Sequence, residues 1–138
     1  MHAVSVHAFN PCQRLPVQAS NVARASKSDP EISLAMSYTL NGWPSEVQTS
    51  MTPFQRVSND LNVEHGCLLW GARVILPRQF RAQLLQELHS IHLGVSRMKS
   101  VARSIFWWPG LDHDIVDLVA DCSECQQHAN RSAKDVHH

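Results

Sequence analysis

The stretch that decides the fold runs from Leu84 to Gln127 and reads LLQELHSIHLGVSRMKSVARSIFWWPGLDHDIVDLVADCSECQQ. His89 and His92 form an H-x2-H pair, Cys122 and Cys125 form a C-x2-C pair, and 29 residues separate the two pairs. Zinc takes four tetrahedral nitrogen and sulfur ligands, and two His with two Cys is a closed structural set. His89 and His92 stand in the i, i+3 relation that turns both toward one point at a helix end. A C-x2-C turn lets both sulfurs reach one ion. The spacer is long enough for one helix and a return, so a single ion would clamp the first helix of the stretch to the third. Four protein ligands leave no open position for water, and no H-E-x-x-H frame is present, which argues against a catalytic zinc.

Helical periodicity surrounds these ligands. A first helix is expected from about Arg78 to Ile91, with Phe80, Leu84, Leu85 and Leu88 on one face. A second runs from about Val95 to Ile105, with Met98, Val101, Ala102 and Ile105 at i, i+3, i+4, i+7. A third runs from about Asp112 to Asp121, with Ile115, Leu118, Val119 and Cys122 on one stripe and acidic residues where the helix dipole favours them. Gly94 and Pro109-Gly110 mark the joints. Three helices over about 45 residues make a marginal core, and bound zinc can add on the order of 10 kcal/mol of apparent folding free energy. The expected fold class is therefore mainly α: a small three-helix zinc-stabilised bundle.

Upstream, the apolar runs Cys67-Leu68-Leu69-Trp70 and Val74-Ile75-Leu76 around Gly71-Ala72-Arg73 read as a short β-hairpin. Before it, Ser28 or Asp29 with Pro30 reads as a helix start, and Asn41-Gly42 as its end. Residues 45–59 are polar and read as a linker, and residues 1–28 show no sustained period. The expected organisation is a loosely ordered tail (1–28), a short helix and linker (29–60), a β-hairpin extension (61–77), the zinc module (78–128) and a terminal tail (129–138).

Composition bounds the function. Lys plus Arg and Asp plus Glu are 12 each, which argues against a strongly basic nucleic-acid coat or a polybasic membrane tail. The hydrophobic fraction of 43% supports a folded core. Among four cysteines, Cys12 and Cys67 are isolated, so a reduced metal-binding set is favoured over a disulfide framework. No apolar run is long enough to span a bilayer, and Met1 to Pro11 does not read as a signal peptide, so an intracellular location is expected, nucleus or cytoplasm open.

The motif L-H-x-x-H-x-G from Leu88, then Met98-Lys99 with Ala102-Arg103, then Trp107-Trp108-Pro109-Gly110, then Cys122-Ser123-Glu124-Cys125-Gln126 closely resembles the zinc-binding domain of integrases from gypsy-type retrotransposon polyproteins. Ser28-Asp29-Pro30, Asn41-Gly42-Trp43-Pro44 and Gly66-Cys67-Leu68-Leu69-Trp70 resemble, more weakly, the segment that precedes that domain in such polyproteins. The resemblance implies a helix-turn-helix-like bundle held by one structural zinc on His89, His92, Cys122 and Cys125. It also implies a role in integrase multimerisation and in holding element-end DNA. It does not carry catalysis: the family's strand transfer belongs to a following core with an Asp, Asp, Glu set. Here 13 residues follow Cys125, with Asp135 the one carboxylate among them. A non-catalytic piece of a polyprotein is expected. The alternatives are a domesticated or free-standing DNA-binding or regulatory protein, or a decayed remnant.

Arg97, Lys99 and Arg103 give the second helix a basic patch suited to phosphate contact, or to an ordinary solvated face. Basic and acidic residues balance over 78–138, so DNA binding by one copy is expected to be weak. Trp107 and Trp108 are candidates for base stacking, with at least one expected in the core. His113 and His128 are read as surface histidines rather than spare ligands, His65 with Cys67 lacks the two further ligands a second metal site would need, His137 and His138 are too few for a metal tract, and Cys12 is read as an unpaired thiol in the tail. The expected partners are DNA and further copies of the integrase, with no membrane and no small-molecule substrate.

Overall fold

The computed structural model describes residue 15 and residues 17–90 and 94–123. Helix α1 (Ala19–Ser28) is followed by α2 (Pro30–Asn41), a one-turn 3₁₀ segment (Thr49–Met51), the short helix α3 (Thr52–Arg56) and a second 3₁₀ turn (Ser58–Asp60). Strands β1 (Leu61–Glu64), β2 (Cys67–Trp70) and β3 (Arg73–Ile75) come next. Then follow α4 (Arg78–His89), α5 (Val95–Ile105), β4 (Phe106–Trp107) and α6 (Leu111–Ala120). The chain is mainly α, with the expected hairpin extended into a four-stranded sheet of order β1-β2-β3-β4.

Asp29 turns the chain between α1 and α2. A residue before proline is pushed out of the helical region, and Asp29 is extended at φ −82°, ψ 117°, with Pro30 opening α2. Its Oδ1 accepts the N–H groups of Glu31 (3.1 Å) and Ile32 (3.2 Å). Its Oδ2 accepts the N–H of Arg78 (3.0 Å), the first residue of α4. One buried carboxylate therefore caps two helices, the second of which begins 49 residues after it. The Arg78 guanidinium reaches Glu31 at 2.9 Å, and that hydrogen bond raises the pKa of Arg78.

The β1–β2 turn is His65-Gly66, with φ of +54° and +80°. Positive φ at both positions is what a two-residue type I′ hairpin turn requires. Gly66 also lies under α1: a Cβ there would stand 3.0 Å from Ala23 Cβ. Strands β1, β2 and β3 pair antiparallel in sequence. Strand β4 returns across α4 and α5 to pair parallel with β3, Val74 opposite Phe106 and Ile75 opposite Trp107.

Both faces of the sheet are buried, and alternate residues go to opposite cores. Cys67, Leu69, Val74, Leu76, Phe106 and Trp108 join Val22, Leu84, Met98, Ala102, Ile115 and others in one cluster. Leu61, Leu68 and Ile75, with Trp70 and Trp107 at the margin, join Ile32, Ala35, Met36, Met51 and Phe54 in the other. A sheet covered on both sides reads as continuous apolar runs, which is how β2 and β3 appear in sequence.

Three readings change here. Residues 19–28, expected within a loose tail, form α1, because Val22 (0% exposed) and Ala25 have the sheet to pack on. Residues 1–14 and 16 lie outside the described residues. Residues 45–59, expected as a linker, contain α3 and both 3₁₀ turns, and Met51 (1%) and Phe54 (0%) anchor them in the second core. The hairpin read over 61–77 is two hairpins sharing β2. The three downstream helices fall where expected, except that Ile91, placed at the end of the first, lies outside the described residues.

Candidate metal centre and basic helix

Helix α4 packs Phe80, Leu84 and Leu85 into the first core and ends at His89, which is 8% exposed. The helix is closed after His89 by the Ser90 N–H, which donates to Gln86 O (3.0 Å) and Glu87 O (3.3 Å), and by the Ser90 hydroxyl, which donates to Glu87 O (2.7 Å). Helix α6 buries Leu111, Ile115 and Val119 in the same core. It tightens at its end, where the Cys122 N–H donates to Val119 O at 3.1 Å and Cys122 packs half-buried on that core. The first and third members of the proposed ligand set, His89 and Cys122, thus sit at the ends of two helices that share one apolar cluster. His92 and Cys125 lie outside the described residues. Among the described residues no group of three or more His, Cys, Asp or Glu converges as a metal site. The donor set nonetheless fits zinc in kind: a buried imidazole and a half-buried thiol are held at helix ends, each followed three residues later in sequence by a second residue of its type.

Helix α5 follows Gly94, whose φ of +86° redirects the chain. Met98 and Ala102 face the core. Arg97 is exposed and Lys99 half-buried. Arg103 is half-exposed, and Asp112 at the start of α6 grips its guanidinium through Nε (3.2 Å) and Nη2. Its guanidinium therefore has an acidic partner within the chain. His113 bridges to Asp117 at 3.2 Å on the outer face of α6.

The two neighbouring tryptophans divide between the cores. Trp108 is fully buried, stacked on Phe106 with centroids 5.4 Å apart, and its Nε1–H donates to Asp114 Oδ2 at 2.8 Å. The Arg81 guanidinium lies 5.5 Å from the Trp108 ring centre, and its Nε–H donates to Leu76 O (3.0 Å). Burial pushes the Arg81 pKa down. Trp107 meets Trp70 (5.1 Å) and Phe54 (6.1 Å) edge-to-face on the other side of the sheet. Trp108 is therefore unavailable for base stacking. The second role of Asp29 and the Trp108–Asp114 bond escaped the sequence reading, although an acidic residue six positions after a tryptophan across a Pro-Gly turn was visible there.

Residues 76–131 match the family model of the integrase zinc binding domain. An uncharacterized protein of Caenorhabditis elegans is 34% identical over 116 residues, covering 83% of this chain and 9% of that protein. The Pro-Pol polyprotein of Simian foamy virus type 3 (strain LK3) is 34% identical over 56 residues, covering 40% of this chain and 5% of the polyprotein. This chain thus spans a small fraction of the curated relatives it matches. No solved structure matches it.

Proposed function

We propose, from the premise that residues 76–131 are an integrase zinc binding domain, that this chain serves a retroelement integrase as a non-catalytic zinc-stabilised module for assembly and nucleic-acid contact. The supporting observation is the placement of His89 and Cys122 at the ends of α4 and α6 on one core. In this reading His89, His92, Cys122 and Cys125 hold one zinc, which supplies a fixed tetrahedral crosslink and no reactive site. The crosslink ties the end of α4 to the end of α6 and leaves α5 between them to present Arg97 and Lys99. The module binds and positions. Strand transfer belongs to a carboxylate core elsewhere in the parent protein.

Cobalt substitution tests the ligand set. Co²⁺ bound by two thiolates and two imidazoles gives intense tetrahedral d–d bands and a thiolate charge-transfer band. The wild-type chain is expected to titrate to one cobalt, with zinc displacing it. Cys122→Ser and Cys125→Ser should each weaken the charge-transfer band, and His89→Ala and His92→Ala should each weaken metal affinity. A chain that binds no cobalt, and whose helicity is unchanged by chelation, would refute the metal reading.

A further inference from the structure

A groove of about 450 Å³ opens between α1, α2 and the edge strand β1. Ala23, Met36, Leu40 and Val63 give it an apolar floor, and Arg24 and Lys27 line its rim. Arg24 donates to Asn21 Oδ1 (3.2 Å), and among the described residues neither Arg24 nor Lys27 forms an ion pair. Among the described residues two large apolar side chains stand exposed: Leu40 in this groove, at 68%, and Val116, at 41%. Val116 lies on the outer face of α6, whose neighbouring positions are acidic. Asp117, with its side chain 62% exposed, and Asp121 are both on the surface, and His113 bridges to Asp117. The molecule therefore displays a cation-rimmed apolar groove in one half and an acid-flanked apolar helix in the other.

We infer that these two surfaces are halves of one contact, with α6 of a second copy of this chain seating Val116 against Leu40 in the groove while Asp117 and Asp121 meet Arg24 and Lys27. Burying the paired apolar side chains supplies the attraction, and the charges fix the orientation. Because the two patches differ, each copy offers both a donor and an acceptor surface. The inference deepens the assembly role proposed above by naming the surfaces that perform it.

Sedimentation equilibrium of the full, zinc-loaded chain provides the test. The wild type is expected to gain mass with concentration, less so as NaCl is raised. Leu40→Asp alone and Val116→Asp alone should each weaken association about tenfold or more, with helicity unchanged because both side chains are exposed. An equimolar mixture of the two variants should regain a heterodimer, since one intact groove then meets one intact α6. Arg24→Glu with Lys27→Glu should likewise be rescued by Asp117→Lys with Asp121→Lys. A wild type that stays monomeric to about 1 mM, association indifferent to both single variants, or a mixture that fails to recover would each overturn the inference. Cobalt spectra of the same variants, prepared metal-free and titrated with Co²⁺, separate the two readings. An intact tetrahedral spectrum without association refutes this contact alone. Association without metal binding refutes the metal set alone.

Discussion

Asp29 shows how much a single side chain can organise. Its two oxygens satisfy the first N–H groups of α2 and of α4, and a helix cap contributes about 1 kcal/mol. Asp29→Ala is expected to destabilise the chain by about 2 kcal/mol in urea unfolding, since two capped ends are lost together. Asp29→Asn should cost less, because the amide oxygen still accepts at one end. The N-cap role was legible in Ser28-Asp29-Pro30, since capping is a local rule. The bond to Arg78 was not, because it depends on where α4 arrives in space. The proposed metal set shows the same division. Spacing alone picks out His89, His92, Cys122 and Cys125, whereas the burial of His89 follows from how α4 packs.

At the scale of elements, legibility followed length from residue 45 onward, whereas the ten-residue α1 was not legible despite its length. Helices α4, α5 and α6 carry ten or more residues each, enough for a 3.6-residue period to stand out. Helix α3 has five residues and β4 two, too few for any period, and both exist because Phe54 and Phe106 find cores contributed by distant segments. The turn His65-Gly66 was missed for a different reason. Histidine at positive φ is uncommon, so the pair lacks the Asn-Gly signature of a tight hairpin. Helix α5 carries a prediction about nucleic acid. Arg97→Ala with Lys99→Ala should flatten the dependence of log K on log salt by about 2, close to 0.9 per phosphate contact. Arg103→Ala should change the slope little, because Asp112 already holds that guanidinium. Duplex titrations by fluorescence anisotropy at several salt concentrations would read both, and equal effects from all three residues would contradict this division of labour.

At the scale of the whole molecule, the sheet is the wall shared by two cores. The region upstream of residue 78 is therefore structural support for the zinc module. A fragment beginning at Arg78 would lose the Asp29 cap on α4, remove the β3 partner of β4 and uncover Phe106 and Trp108. Such a fragment is expected to aggregate or to melt well below one beginning near Val17, even with zinc present, as light scattering and thermal denaturation would show. The parallel pairing of β3 with β4 also orders events in time. Strands β1 to β3 and helices α2 and α3 lie next to one another along the chain, so every buried residue of the second core is made by Ile75, and Trp107 joins its margin later. The opposite face waits for Phe106 and Trp108, which follow β3 by some thirty residues of intervening helix and turn. During synthesis the chain should therefore leave the ribosome half-finished, its second core largely assembled and its first still an open apolar surface. Pulsed hydrogen exchange on refolding should protect the amides shared by β1 and β2 before those of Leu76 and β4. In the living cell, that interval is when a chaperone would have something to hold.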